Sequence, residues 1–244
     1  TRQDTVLVPV MALLYLGGGL AVILGNLRRL PEAVTLMLRC AVAPEAALGG
    51  ALGIVTRREA LRWGVARSVF SNEAGLGSAA ITAACADTED PVKQGLISMT
   101  GVFFDTMVIC TVTGLAICCS GTLGTADGAG RPLTGAALTL RAFETVLGPL
   151  APWLIGVALG LFAFTSVLGC AVQAETTASY LLGPEAVRPC RVLYGLAVFV
   201  GAVIPMATVL QLADLANALM AFPNLVCLLL LSGEIAGECG RKER

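Results

Sequence analysis

The feature that most constrains this chain is the gathering of its apolar residues into blocks of about 20. That is roughly what a helix needs to cross a hydrocarbon core of ~30 Å at ~1.5 Å per residue. The window from Leu96 to Cys119 shows the pattern most plainly, with Asp105 as its one charge. A helix on a soluble protein carries a polar stripe at helical spacing, and these windows do not. Overall the chain is 56% hydrophobic and 14% charged, with a mean hydropathy of +0.82. A soluble fold of 244 residues does not bury that much apolar surface, so lipid has to cover the excess. The expected class is an all-α membrane protein.

Six transmembrane helices are expected, at about 6–24, 63–86, 95–119, 152–181, 192–209 and 210–231. Between the first two lies a connection, 26–62, with Arg28, Arg29, Arg57, Arg58 and Arg62 among Pro31, Pro44 and Gly49-Gly50. One short interfacial helix, Glu32 to Cys40, is expected there. Ser120 to Gly148 reads as a glycine-rich loop followed by a surface helix near Thr134 to Leu147. Six crossings put both ends on one side, and Arg241, Lys242 and Arg244 make that side the cytoplasm, together with Arg2, Lys93, Arg188 and Arg191. The arginines from Arg28 to Arg62 then fall outside, against the positive-inside rule, which a connection lying on the membrane surface accommodates. Thr1 is not followed by a charged n-region or a cleavage site, so the chain reads as starting in the middle of a protein.

Several function classes drop out. Net charge is −1 with no long basic run, which argues against nucleic acid as a partner. The nine cysteines show no C-x-x-C spacing and read as small apolar fillers. The absence of histidine removes His-based triads, haem ligation by His and His-containing metal sites. An enzyme using Glu73 and Asp105 as acid and base would lack a nucleophile with a neighbouring base, so neither catalysis nor an organic cofactor is expected.

The block at 63–86 is the exception to plain hydropathy. Ser71-Asn72-Glu73 and the small residues Gly75, Gly77 and Ser78 interrupt it. Backbone freed from helical hydrogen bonds is tolerable in a membrane only where it lines a cavity or is buried in protein. Transporters use such breaks: freed amides meet a substrate carboxylate, carbonyls meet a cation, and glycines let a small ligand reach the backbone. A loop of Ser, Asn and Gly at a helix start is the plainer alternative. Glu73, with apolar flanks on both sides, shifts the balance toward a site.

The string Gly64-Val-Ala-Arg67-Ser-Val-Phe70-Ser-Asn-Glu-Ala-Gly-Leu-Gly-Ser78 resembles the signature of the alanine or glycine:cation symporter family, within the amino acid-polyamine-organocation superfamily. Further similar segments follow in order: Pro91 to Gly95, Gly101 to Thr106 with Cys110-Thr111, Leu161 to Ser166, and Leu212-Ala-Asp214 with Asn217, Leu219 to Ala221 and Pro223-Asn224-Leu225. Pro9 to Tyr15 is similar to the helix that closes the family's first half. The resemblance implies helices five to ten of the leucine-transporter-like inverted-repeat fold, the C-terminal half of a plasma-membrane symporter whose helices one to four are missing here. It implies symport of a small neutral amino acid, such as alanine or glycine, with a cation, Na⁺, as coupling ion.

It also implies site residues. Phe70, Ser71, Asn72, Ala74, Gly75, Gly77 and Cys170 would face the substrate, with Phe70 covering it. The carbonyl of Phe162 and the hydroxyls of Thr165 and Ser166 would hold the cation; without the resemblance, such hydroxyls are explained by bonds to their own helix carbonyls. Glu73 is left either at the site or holding the break in shape by accepting backbone hydrogen bonds. Asp105 is left as a coupling group or a structural acid bonded to Thr106 or Thr111. Cys170 and Leu210 stand where the family pattern leads to tryptophan. That departure implies a wider pocket than alanine or glycine needs, unless a bulky residue of the other half fills it.

Overall fold

The computed structural model describes residues 4–42, 57–73, 75–88, 90–128 and 130–242, and among them the chain is helical with no strand. The helices are α1 (Asp4–Gly25), α2 (Leu30–Val42), α3 (Arg57–Asn72), α4 (Ser78–Ala83), α5 (Pro91–Phe103), α6 (Cys110–Ser120), α7 (Gly135–Leu147), α8 (Leu150–Leu182), α9 (Val187–Val203) and α10 (Met206–Lys242). A π-helical turn, Phe104–Ile109, joins α5 to α6. The helices fall into two compact units. The first takes 1–65 and 104–165, and the second takes 66–103 and 166–244.

The first unit is held by close packing. Val22, Phe143, Ala116, Ala142, Ala151 and Ile155 are buried together, supplied by α1, α6, α7 and α8. Lipid tails are as apolar as these side chains, so helices in a membrane associate through van der Waals fit, which small residues permit. Gly18-Gly19 provides that fit: a Cβ on Gly18 would lie 2.9 Å from Phe143 Cε1, and one on Gly19 would lie 2.5 Å from Val112 Cγ1. Tyr15 stacks at a tilt on Phe143, ring centres 5.6 Å apart, and its hydroxyl is 2.9 Å from that of Thr113. Arg29 donates to the Ser120 carbonyl at 3.4 Å, covering the end of α6, where Gly121 turns left-handed (φ 72). The α7 helix stands where a surface helix near Thr134 to Leu147 was expected. Its polar face is exposed, but Ala142 and Phe143 on the other face are fully buried.

The second unit holds α4, α5, α9, α10, the end of α3 and the C-terminal part of α8. Its apolar surface is largely uncovered by the chain itself, as Phe199 on α9 and Leu229 and Leu230 on α10 show. Lipid or further protein has to meet it.

Among the described residues, five segments are long and apolar enough to cross a membrane: Leu7–Gly25, Pro91–Ser120, Leu150–Leu182, Pro184–Val203 and Met206–Glu238. The sixth expected crossing, 63–86, is not among them, because it is two pieces, α3 and the six-residue α4, separated by irregular backbone. Several boundaries also differ from the hydropathy reading: α9 begins at Val187 rather than 192, and α10 runs on to Lys242 rather than 231. Helix α9 stops at Val203, short of the expected Val209, and α10 begins at Met206 rather than Leu210. Pro205 is the reason: it pushes Ile204 into extended backbone (φ −73, ψ 146) inside a run whose hydropathy never drops. A helix, α2, covers the expected Glu32 to Cys40, beginning at Leu30 after a 3-10 turn at Leu27–Arg29. The Pro44 and Gly49-Gly50 part of that connection lies outside the described residues.

Candidate functional site

Helix α3 ends where Glu73 turns into the left-handed region (φ 54), its amide still bonded to the Val69 carbonyl at 3.2 Å. For a residue with a Cβ that conformation costs roughly 1–2 kcal/mol, so its surroundings must impose it. Gly75 (φ 86) and Gly77 (φ 88) continue the irregular path at no such cost, and α4 begins at Ser78. The Ser78 hydroxyl donates to Glu73 Oε2 at 2.7 Å, so one carboxylate ties the end of α3 to the start of α4 across the break. Leu76 and Ser78 are buried while Ser71 is exposed, which gives the segment an anchored side and an open one.

Helix α10 packs against the break. A Cβ on Gly77 would lie 3.1 Å from Asn224 Oδ1, and one on Gly75 would lie 3.9 Å from Leu225 Cδ2. Ahead of the break, the Arg67 guanidinium is ion-paired with Asp214 of α10 and sits over the Phe70 ring, 5.5 Å from its centre. From α8, Gln173 Nε2 donates to the Thr82 hydroxyl at 3.0 Å, and Cys170 lies within electrostatic reach of Glu73. The C-terminal half of α8 is tied to α9 by a two-pronged Arg191–Glu175 pair at 2.6 and 2.8 Å and by the Tyr194 hydroxyl on the Val167 carbonyl at 2.9 Å.

Of the residues expected at a substrate site, Phe70, Ser71, Asn72, Gly75 and Gly77 lie along this break, and Cys170 lies on α8 three residues before Gln173, which reaches Thr82. Ala74 lies outside the described residues. The side-chain bond seen for Glu73 is to a hydroxyl, where backbone donors had been expected. Phe162, Thr165 and Ser166 sit on α8 at i, i+3 and i+4, one above the other. The Thr165 hydroxyl donates to the carbonyls of Leu161 and Phe162, each at 3.0 Å. This is the bonding to its own helix that explains such a hydroxyl without a cation. Asp105 lies in the π-helical turn, a wider turn that releases backbone groups from the regular ladder.

Hydropathy gave no warning of the Arg67–Asp214 pair or of Asn224 against Gly77. The available signal was isolation: Asp214 is the one charged residue between Arg191 and Glu234, and an acid inside a span needs a partner.

Five described helical segments long and apolar enough to cross belong to a multi-pass membrane protein, in which α10 meets a broken helix through charged and amide side chains. The chain belongs to the sodium:alanine symporter family, whose model matches residues 1–241. It is 43% identical over 227 residues to an uncharacterized transporter of Haemophilus influenzae, covering 93% of this chain and 48% of the relative. It is 39% identical over 240 residues to the sodium/alanine symporter AgcS of Methanococcus maripaludis, covering 97% and 51%. With the probable sodium/glutamine symporter GlnT of Bacillus subtilis it shares 38% identity over 227 residues, covering 93% and 45%. The chain thus spans about half the length of the curated relatives it matches.

Proposed function

We propose that this chain is the C-terminal half of a secondary-active symporter that carries a small neutral amino acid with Na⁺ by alternating access, and that helices one to four precede it. Six crossings, the broken 63–86 segment among them, would then be helices five to ten of a leucine-transporter-like inverted repeat. The observation that carries this reading is the break itself. Glu73, Gly75 and Gly77 hold backbone out of helical geometry between α3 and the six-residue α4, in a member of the sodium:alanine symporter family. Freed amides there suit an amino-acid carboxylate, and Phe70, Ser71, Asn72, Ala74, Gly75, Gly77 and Cys170 would contact the substrate. The Phe162 carbonyl with Thr165 and Ser166 would hold Na⁺ through oxygen atoms only, while Glu73 keeps the break in shape and Asp105 acts as a coupling or structural acid. Coupling is differential affinity: each ligand favours the occluded state that the other also favours.

Alanine and glycine are the first substrates to test. A larger neutral amino acid such as glutamine is the second reading, favoured by Cys170 and Leu210 in place of bulky rings and by the GlnT relative. The test is uptake of labelled alanine, glycine and glutamine into proteoliposomes with the full-length protein. Uptake that follows an inward Na⁺ gradient is expected, and uptake indifferent to both Na⁺ and H⁺ gradients would remove cation coupling.

A further inference from the structure

We infer that Gln173 is a positioning residue through which α8 holds the short helix α4, so that a cation bound on α8 sets how the break meets the substrate. This rests on the symporter reading above and deepens it by naming the bond that carries the coupling.

Helix α4 has six residues, too few to keep a helical shape or a position alone, so side-chain ties have to place it. Ser78 and Thr82 are its only hydroxyl-bearing residues, and they stand four apart, on one face. The Ser78 hydroxyl donates to Glu73 Oε2 at 2.7 Å, which fixes the start of α4 to the end of α3. The Thr82 hydroxyl accepts from Gln173 Nε2 at 3.0 Å, which fixes the end of α4 to α8. One short helix is thus tied to the break at one end and to α8 at the other. On α8, Ser166, Cys170 and Gln173 follow one another at i, i+4 and i+7, which places them along one face. Ser166 is a cation ligand and Cys170 a substrate contact in the symporter reading, so cation, substrate and α4 are met from the same face. Glu175, two residues beyond Gln173, lies on the opposite side of the helix and is bonded to Arg191 of α9 at 2.6 and 2.8 Å. Helix α8 is therefore braced on α9 and reaches α4 from the other side. A cation that fixes α8 at Ser166 also fixes Gln173, about 10 Å further along the same helix. Through Thr82 it fixes α4 and the two left-handed glycines just before it, Gly75 and Gly77. Thr82 is exposed and Gln173 half-buried, so removing the bond opens no cavity in a core.

The test is a double-mutant cycle on the full-length protein in proteoliposomes, with Gln173→Met, Thr82→Val and the two together. Both substitutions keep the shape of the side chain and remove the bond. The quantity read is the factor by which saturating NaCl, against choline chloride, tightens binding of labelled alanine or glutamine, whichever the wild type takes up. The kcat at saturating Na⁺ is read beside it. Each single variant is expected to cut that factor about fivefold with a smaller change in kcat. The double variant is expected to cut it no further, because either substitution already removes the bond. Single variants whose factor stays within twofold of wild type overturn the link, even where kcat falls, since the bond is then merely structural. So does a double variant whose loss is the product of the two single losses. Thr82→Val, which exchanges an exposed hydroxyl for a methyl group, carries the test by itself if Gln173→Met does not reconstitute. A wild type that takes up neither amino acid, or binds it without regard to Na⁺, refutes the symporter reading and the link with it. A normal wild-type factor with indifferent variants refutes the link alone.

Discussion

The two units are built by different physics. In the first, α1, α6 and α7 meet through glycine against Phe143 and Val112, and the hydroxyl pair of Tyr15 and Thr113 is a minor addition. In the second, the recorded ties are polar: Arg67 to Asp214, Glu73 to Ser78, Thr82 to Gln173, Glu175 to Arg191. Close packing in lipid is bistable at best, because small residues fit one arrangement or lose their contacts outright. Polar pairs can exchange partners with a ligand, with water or with each other. The first unit is therefore held by shape fit and the second by polar pairs.

The contrast breaks first at glycine. Gly19→Val should destabilise the folded protein by about 1–3 kcal/mol relative to Gly17→Val, read as unfolding in mixed micelles. Gly19 is buried with Val112 2.5 Å from its notional Cβ, whereas Gly17, two residues earlier, has open space. Equal effects at the two positions would mean that the packing described for the first unit does not hold it together. A finer test is Tyr15→Phe, which keeps the ring against Phe143 and removes only the bond to Thr113. A loss of about 0.6 kcal/mol is expected, the average for such bonds between membrane helices. A loss several times larger would make polar bonding as important in the first unit as in the second.

Much of this was legible in residue order. Hydropathy alone located the five long spans, because covering ~30 Å of hydrocarbon leaves a long, unmistakable mark. The break was legible too, since Ser-Asn-Glu and paired glycines have no place in an undisturbed span. Three things were not. Pro205 ends α9 inside a continuous apolar run, so an average over residues passes across it. The π-helical turn at Phe104–Ile109 changes hydrogen-bond partners without changing composition. The Arg67–Asp214 pair joins residues far apart in the chain, and one sequence shows two isolated charges without showing that they meet.

Gly77 tests the central claim, that the break between α3 and α4 is the transport site, most directly. An alanine there must adopt φ +88, at roughly 1–2 kcal/mol, and place its methyl group 3.1 Å from Asn224 Oδ1. Wild-type and Gly77→Ala proteins, reconstituted at equal density, are compared for alanine uptake under an inward Na⁺ gradient. The prediction is concentrative, Na⁺-driven uptake by wild type and a loss of about tenfold in the variant, measured at a temperature well below the melting point that the strain lowers by several degrees. Uptake by the variant equal to wild type, or wild-type uptake that ignores the gradient, would contradict it.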